Sequence, residues 1–320
     1  MRYLTRRFVH ALLLLAAATI VTFLFTTLAP GNYFEEMRLN PRISPETLSA
    51  LKAHYDLDKP LLVRYGAWLK SLAQGEMGYS FAYNAPVGSL LAVRARNTLL
   101  LTITSTLLAW MIALPLGVWS AEYAGRWVDR AVTGTSAILL IIPDIALALG
   151  LLLIAVQSRL LPAGGMASVG AESLPLGARA WDLMRHMFLP AVILILSAQP
   201  ILVRHVRAAV AETLGEAYAR AAEAHGIPRR RLLWRYALPA AANPLISLFG
   251  FSIGTLLSGS LLVEVVTSWP GLGPFLLEAI LARDLYVVIA GVLLSTLFLV
   301  AGNLVADVAL YWADPRIRTE

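Results

Sequence analysis

The sequence predicts an all-α integral membrane protein with six transmembrane helices, and three observations support this fold class. Apolar residues make up 58% of the 320 residues and charged residues only 14%. The mean hydropathy of +0.69 exceeds what a water-soluble domain presents to solvent. Apolar runs of about 20 residues, the length that crosses a bilayer, recur along the chain. The six predicted spans are residues 8–29, 98–121, 131–156, 187–206, 243–266 and 286–312.

The first apolar run is predicted to be an uncleaved helix rather than a signal peptide. Arg2, Arg6 and Arg7 precede it, as they would in a signal peptide. The run is about 22 residues long, however, whereas the apolar part of a signal peptide has roughly 7 to 15. No convincing small-x-small cleavage site comes before Pro30 and Gly31. We therefore expect this run to stay in the membrane as the first helix.

The distribution of basic residues predicts that both termini are cytoplasmic. Fourteen arginines fall in the tails and short loops assigned to the inside, against four in the short loops assigned to the outside. Short cytoplasmic loops are enriched in Lys and Arg in this way. The remaining eight basic residues lie between residues 30 and 97, in a segment too long for this bias to apply. Six spans also place both ends on one side.

Several classes of function are not expected from this sequence. The net charge of +6 is explained by arginine-rich loops beside membrane helices, so no nucleic-acid binding is expected. The absence of cysteine excludes disulfides and thiolate metal sites. The five histidines are scattered, with no i, i+4 pair, so no metal site is expected. A G-x-x-x-x-G-K-[ST] phosphate loop is missing, so ATP hydrolysis is expected in a partner rather than in this chain.

The spans divide the chain into four predicted parts. They are residues 1–29 (tail and first transmembrane helix), 30–93 (extracytoplasmic segment), 94–313 (core with helices two to six) and 314–320 (cytoplasmic tail). Within the extracytoplasmic segment, residues 45–51 follow the capping residue Ser44, and residues 61–72 carry apolar residues at helical spacing. We expect this segment to be partly helical and to form a cap on the outside.

The cytoplasmic loop between the fourth and fifth spans, at residues 207–239, is unusually long and helical for a connection. Its first part, residues 212–225, is rich in alanine and predicts a helix that ends at Gly226, where a left-handed carboxyl cap is readily adopted. Pro228 suits the first turn of a second, arginine-rich helix. Two interpretations stay open: a surface that another protein approaches closely, or a solvated basic loop that follows the charge bias.

Polar residues inside the predicted spans are candidates for lining a solute pathway. Asp144, in the third span beside Pro143, is the strongest, because a carboxylate at membrane depth is costly unless it faces a polar cavity or a partner. Pro143 is expected to bend the helix. The alternative is that Asp144 lies near the helix entrance and forms a structural pair with an arginine, or that the span is shifted. The neutral candidates are Gln199, Ser252 and Asn303, most of which we expect to be packing residues.

The small residues of the cytoplasmic loop have a specific spacing. Arg220–Ala221–Ala222 is followed by Gly226 and then by Leu238–Pro239, twelve and thirteen residues after the glycine. This spacing resembles the EAA loop of ABC importer permeases, with Arg220 at the position of the acidic residue. The resemblance implies that residues 218–239 form a coupling helix region that contacts an ATPase, and we call residues 207–239 the coupling segment. The implied contact residues are Tyr218, Arg220, Ala221, Ala222, Ala224, Gly226, Arg230, Leu238 and Pro239.

Other tracts extend the resemblance over nearly the whole chain. They are HYDLDKPLLVRYGAWLKSLAQGEMGYSF at 54–81, PLGV at 115–118, VEVVTSWPGLG at 263–273, ARDLY at 282–286 and DPRIR at 314–318. Together they are similar to the dipeptide, oligopeptide and nickel permease branch, and to the first of its two permeases, which has a large outside loop after helix one. The resemblance implies a type I ABC importer permease fold in the bacterial cytoplasmic (inner) membrane.

The resemblance also implies a set of partners. They are a second homologous permease, two ABC ATPase subunits and an extracytoplasmic solute-binding protein that docks on the cap. ATP and Mg would belong to the ATPase subunits, and no cofactor is implied for this chain. The solute could be a peptide, a nickel chelate, an oligosaccharide or another small molecule.

Two functions from other classes are alternatives to an importer permease subunit. An autonomous channel or an ion-coupled secondary carrier predicts inverted repeats, broken helices or several buried charges. Asp144 is nearly alone in the predicted spans, which argues against that class. A membrane-anchored assembly factor without transport is the third interpretation.

Overall fold

The computed structural model describes residues 2–28 and 59–313, and the regular structure within them is almost entirely helical. The helices are α1 (Arg2–Leu28), α2 (Leu61–Ala73), α3 (Val87–Glu122), α4 (Trp127–Ile141), α5 (Asp144–Ser158), α6 (Leu176–Gly215), α7 (Ala217–Ala224), α8 (Arg229–Leu232), α9 (Leu238–Ala240), α10 (Ala242–Val266), α11 (Leu272–Leu281) and α12 (Leu285–Ala313). A π-helical stretch, Leu233–Ala237, joins α8 to α9, and a 3-10 turn covers Ala171–Ser173. A two-residue strand β1 (Tyr79–Ser80) pairs antiparallel with β2 (Ala85–Pro86).

The predicted number of membrane spans agrees with the helices. Five of them, α1, α3, α6, α10 and α12, are long and apolar enough to cross a membrane. The helices α4 and α5 pass the same test only together, as a bent pair, and they make a sixth span if the pair crosses the membrane as one. The prediction of an all-α membrane protein with six spans is confirmed in this form.

The third span is broken, so the prediction of one continuous helix at 131–156 is wrong. The axes of α4 and α5 differ by 98°. Pro143 has no N–H to donate and disfavours the helical region for the residue before it. Ile142 and Pro143 accordingly both leave the helical region, with ψ of 119° and 140°. Pro143 does bend the chain as expected, but the bend is a full corner.

The fourth span and the loop after it are also divided differently from the prediction. α6 extends beyond 187–206 at both ends, with Pro190 and Pro200 inside it. Glu216 is extended, with φ of −67° and ψ of 152°, and α7 starts directly after it. The predicted helix at 212–225 is therefore two pieces, of which the first belongs to α6. Alanine-rich composition alone did not reveal the single extended residue between them.

The extracytoplasmic segment is described only from residue 59 onward. The predicted helix at 61–72 is confirmed as α2, whereas the predicted helix at 45–51 and the DPRIR tract at 314–318 lie outside the described residues. α3 already starts at Val87. The division of the chain at residue 94 stays a prediction.

The chain forms two compact units. The first comprises Met1–Arg7, Leu99–Trp269 and Phe298–Glu320, and the second comprises Phe8–Thr98 and Pro270–Leu297. In the first unit, α6 is the central element and packs against α4, α5 and α10. Its buried apolar core includes Ile193, Leu194 and Trp269. Long apolar side chains on the remaining faces stay exposed, as expected for surfaces that meet lipid or other subunits.

Glycine permits close packing of α10 against the described part of α12 in the first unit. A Cβ atom on Gly250 would lie 2.1 Å from the Cβ of Ala306 and 3.2 Å from the carbonyl oxygen of Gly302. One turn on, a Cβ atom on Gly254 would lie 3.0 Å from Cγ of Leu299. Small residues at this spacing let two membrane helices approach backbone to backbone.

The second unit is organised around a buried carboxylate. Asp284 is fully buried directly before α12 and accepts hydrogen bonds from Ser80 Oγ at 2.6 Å and from the backbone N–H of Ala82 at 3.1 Å. It also accepts a longer one from the N–H of Val287 at 3.5 Å, in the first turn of the helix. Asp284 thus caps α12 and holds the β1–β2 hairpin, which gives a structural role to the ARDLY tract.

Tyr83, in the turn of the β1–β2 hairpin, makes a second contact that holds the hairpin in place. The Tyr83 hydroxyl donates a hydrogen bond to the carboxylate of Glu278, and the Tyr83 and Phe275 ring centroids are 5.2 Å apart. Partial burial and the hydrogen bond to Glu278 raise the pKa of Tyr83 to about 12. The phenol therefore remains a donor at physiological pH.

Candidate functional site

The helix α7 has a well-defined end. The N–H of Ile227 bonds to the carbonyl of Ala222 at 3.2 Å, and the N–H of Gly226 bonds to the carbonyl of Glu223 at 2.9 Å. Gly226 has φ of +79°. These two bonds around a left-handed glycine form a Schellman motif. The left-handed cap predicted at Gly226 is confirmed.

Most of the α7 surface is free within the chain. Ala219 is its one buried residue and Ala222 is half-buried, whereas Arg220, Ala221 and Ala224 are exposed. Tyr218 is 45% exposed. The exposed surface of this short helix therefore offers the small side chains of Ala221 and Ala224 together with the long side chains of Tyr218 and Arg220.

The second part of the coupling segment is one helical rod with a π-helical turn. Pro228 lies directly before α8 with ψ of 139°, one position earlier than predicted. The N–H of Leu238 bonds to the carbonyl of Leu233, five residues back. Pro239 follows and has no N–H for the carbonyl of Arg235, and the wider turn accommodates this loss. Arg230 and Pro239 are exposed, and Leu238 is half-buried.

The coupling segment is fixed to the ends of three long helices. Its buried residues Leu233 and Ala237 belong to one apolar cluster with residues of α3, α6 and α10. The other buried members of this cluster are Val118, Ala121, Val206, Val210, Ala241 and Leu245. This packing makes the segment a rigid extension of these helices rather than a loose loop, and it argues against the interpretation as a solvated basic loop.

Arg229 adds polar links to this attachment. Its guanidinium donates to the carboxylate of Glu223 in α7 at 3.0 Å and to the carbonyl of Glu122, the last residue of α3, at 3.3 Å. Arginine has donors in a planar fork and can serve both acceptors at once. The two parts of the coupling segment are thereby tied to each other and to α3.

Asp144 lies at a different place in its helix from the one predicted. It is the first residue of α5, at the corner between α4 and α5, and its side chain is exposed. A carboxylate in the first turn is favoured by the unpaired N–H groups and the dipole of the helix. The exposed corner is compatible with contact to a solute or to another subunit, and the pathway role stays a prediction.

The neutral pathway candidates are buried or half-buried. Gln199 is buried and donates from Nε2 to the carbonyl of Ala109 at 2.9 Å, while its Oε1 is buried without a partner. Ser252 is buried, accepts from Trp110 Nε1 at 2.9 Å and donates to a carbonyl of its own helix. Asn303 is half-buried. No hydrogen bond joins Asp144, Gln199, Ser252 and Asn303 to one another, and their place in a solute pathway stays a prediction.

The sequence did not reveal the most connected charged group of the first unit. Asp129, 4% exposed in the first turn of α4, accepts from Arg207 Nε at 2.5 Å and Nη2 at 2.7 Å, from Ser120 Oγ at 2.6 Å and from the N–H of Gly125 at 2.8 Å. It joins α4 to α3 and to α6. No local pattern could reveal it, because Arg207 lies 78 residues away in the chain.

Two further acids in the spans are more buried than their positions near helix ends suggest. Glu264 in α10 has no exposed surface, and Asp307 in α12 is 7% exposed. Asp307 forms an ion pair with Arg7 at 3.3 Å. Within residues 2–28 and 59–313, no group of three His, Asp or Glu side chains could hold a metal ion.

Comparison with known families gives two adjoining matches. Residues 113–319 match the family described as binding-protein-dependent transport system inner membrane component. Residues 1–102 match the family described as its N-terminal membrane component. The two matches leave only residues 103–112 and residue 320 uncovered.

Several curated proteins are similar over nearly their full length. The oligopeptide transport system permease protein AppB of Bacillus subtilis is 35% identical over 98% of each chain. The dipeptide transport system permease protein DppB of Escherichia coli is 32% identical over 94% of each. The glutathione transport system permease protein GsiC of Salmonella paratyphi A is 32% identical over 99% of each.

A solved structure supports the fold. The chain is similar to a chain in an inward-facing structure of the MetNI methionine ABC transporter, with a TM-score of 0.58 and 20% identity. The match covers 70% of this chain and 96% of that one. It confirms the predicted type I ABC importer permease fold.

Proposed function

This chain belongs to the inner membrane components of binding-protein-dependent transport systems, and from that premise we propose that it forms half of a pathway that imports peptides or similar small solutes. The chain is a multi-pass permease subunit of an ABC importer. The choice of peptides rests on relatives that are permeases for oligopeptides, dipeptides and glutathione. Solute recognition would begin in a separate binding protein.

One observation carries the proposal: α7 is a short exposed helix mounted rigidly on the ends of α3, α6 and α10. In the proposed importer, an ATPase subunit contacts this helix through Tyr218, Arg220, Ala221, Ala222 and Ala224. Gly226 ends the helix, and Arg230, Leu238 and Pro239 follow it in the same body. Movement of the ATPase would then displace three helices together, because they share one apolar cluster.

The proposed assembly has this chain, a second homologous permease, two ATPase subunits that bind ATP and Mg, and an extracytoplasmic binding protein. Both termini and the coupling segment face the cytoplasm, in keeping with fourteen arginines on that side against four in the short outside loops. The solute pathway lies between the two permeases. Asp144 at the exposed α4–α5 corner is the pathway residue that we favour.

The test is co-purification from the native host in mild detergent, with a matched pair of variants. Ala221→Trp adds bulk to the exposed face of α7, and Ala178→Trp adds the same bulk to an exposed position near the start of α6. We expect the wild type and Ala178→Trp to retain a second six-helix permease and P-loop ATPases. Ala221→Trp should retain the permease and lose the ATPases.

Two other results would contradict parts of the proposal. A chain that purifies alone and moves solute in liposomes without ATP would be a channel or a secondary carrier. Equal retention of the ATPases by both tryptophan variants would show that α7 is not their docking helix. The first result removes the importer function, and the second removes only the assignment of the contact.

A further inference from the structure

We propose that the ion pair between Asp129 and Arg207 is the joint that transmits movement of the coupling segment to the bent pair α4–α5. This inference rests on the proposed function, because it assigns a path for the movement that an ATPase would impose on α7. Asp129 and Arg207 are positioning residues in this role, and neither contacts solute or ATP.

The carboxylate of Asp129 accepts several hydrogen bonds in this joint. Both carboxylate oxygens of Asp129 are used: Oδ1 accepts from Arg207 Nε and Ser120 Oγ, and Oδ2 accepts from Arg207 Nη2 and the N–H of Gly125. A two-pronged arginine–carboxylate contact fixes the angle between its partners as well as their distance. The start of α4, the end of α3 and the α3–α4 turn are thereby locked to α6.

The joint lies beside the attachment of the coupling segment. Arg207 is the first residue of the segment and still belongs to α6, between Val206 and Val210, which share one apolar cluster with Leu233. The α3–α4 corner is held from its other side, since Arg229 donates to the carbonyl of Glu122. A displacement of the segment therefore acts on the start of α4 through both contacts.

The far end of α4 is the corner where the span breaks. Ile142 and Pro143 separate α4 from α5, and Asp144 is the first residue after the break. A rigid α4 that is clamped at its start would convert movement of α6 into a change at this corner. The break gives the span a place to flex, because the backbone of Ile142 and Pro143 leaves the helical region there.

The charges of Asp129 and Arg207 make it possible to test whether the pair serves coupling or only stability. Buried ion pairs add little net stability compared with well-packed apolar residues of similar volume, whereas a two-pronged arginine–carboxylate contact adds geometric specificity. If the pair served stability alone, an apolar replacement would do as well. If it serves coupling, the two-pronged contact itself is required.

The experiment compares Arg207→Lys with the control Arg204→Lys in the full complex, reconstituted with its binding protein. Lysine keeps the positive charge but replaces the planar fork with a single ammonium. Arg204 is exposed on the same helix. The readout is the ratio of ATP hydrolysis with a tryptic digest of casein as the peptide source to hydrolysis without it. We expect this ratio to fall about tenfold in Arg207→Lys, within the usual range of coupling between sites, and to be unchanged in Arg204→Lys.

Each outcome decides the proposal. An unchanged ratio in Arg207→Lys overturns it. If that variant does not assemble, the double variant Asp129→Leu/Arg207→Met replaces it, since it removes both charges at once. An assembled but uncoupled double variant supports the joint, whereas a normally coupled one, or failure of both variants to assemble, reduces the pair to a folding element. If the wild-type chain itself binds no ATPase, the proposed function fails before the joint is tested.

Discussion

Two buried carboxylates, one in each unit, hold their surroundings by different means. Asp129 meets a full positive charge on Arg207, together with a hydroxyl and a backbone N–H. Asp284 is held by the neutral donors Ser80 Oγ and the N–H of Ala82. The first joins helices that would move together in transport, and the second caps one helix and anchors a hairpin. Burial of an acid therefore does not by itself define its role, whereas the charge of the groups that donate to it separates these two carboxylates.

The largest expected effect is that of Asp129→Ala on stability. The variant leaves the Arg207 guanidinium without its anion and leaves Ser120 and Gly125 without their acceptor. We expect a loss of about 3 kcal/mol, at the low end for a broken buried pair, because the Arg207 side chain is 32% exposed. Thermal unfolding of the purified complex measures it, with Glu76→Ala at an exposed position as the control. A loss of stability no larger than the scatter of the control would show that water satisfies Arg207, Ser120 and Gly125 in the variant.

Asp284→Ala should cost less, about 2 kcal/mol, because only neutral donors are left unsatisfied and one helix cap is lost. The same unfolding assay applies. The comparison also predicts that the complex that remains folded keeps its normal ratio of peptide-stimulated to basal ATP hydrolysis. A coupling defect in this variant without loss of stability would erase the distinction between the two carboxylates.

Replacement by asparagine sharpens the contrast. Asp284→Asn keeps an oxygen acceptor and a good capping residue, so a loss of about 0.5 kcal/mol is expected. Asp129→Asn removes the anion that pairs with Arg207 and turns an NH₂ group toward donors at short range, whereas the NH₂ group introduced by Asp284→Asn can face the long contact from Val287 at 3.5 Å. The cost of Asp129→Asn should therefore exceed that of Asp284→Asn by about 1 kcal/mol or more. Parallel melting curves of the two variants check the order. Equal losses at the two positions would mean that the charge on Arg207 contributes little.

The smallest effect is expected for the exposed pair between Glu223 and Arg229. Their side chains are 52% and 45% exposed, and exposed pairs contribute about 0.2 to 1 kcal/mol. Glu223→Gln should therefore change stability by less than about 0.5 kcal/mol, with a further decrease at high salt. A loss as large as that of Asp129→Ala would show that the link between α7 and α8 is as important as the buried joint.

The sequence predicted the features that depend on local chemistry. Six apolar runs predicted the spans, and the glycine at 226 predicted a left-handed helix end, which its φ of +79° confirms. The break at Pro143 was underestimated, because a proline in an apolar run is compatible with a mild kink as well as with a corner. Glu216 was missed, because its residue type does not require an extended backbone.

The contacts that define the two carboxylates could not be predicted from the sequence. Asp129 and Arg207 are 78 residues apart, and Ser80 and Asp284 are 204 apart. Periodicity and motifs report neighbours along a helix, not which distant helices pack together. Asp144 is the opposite case. A carboxylate within an apolar run predicts a residue at membrane depth, whereas the structure has an exposed acid at the start of a helix.

The central claim, that α7 and its cap couple this permease to an ATPase, is tested most directly by Gly226→Leu against Gly215→Leu. A Cβ atom at either position meets nothing within 4 Å, but only Gly226 has a positive φ. Leucine in the left-handed region costs about 1–2 kcal/mol, so the helix end should shift in Gly226→Leu alone. In the reconstituted complex we expect the ratio of peptide-stimulated to basal ATP hydrolysis to fall about fivefold or more in Gly226→Leu and to stay normal in Gly215→Leu. Normal coupling in both variants would contradict the account.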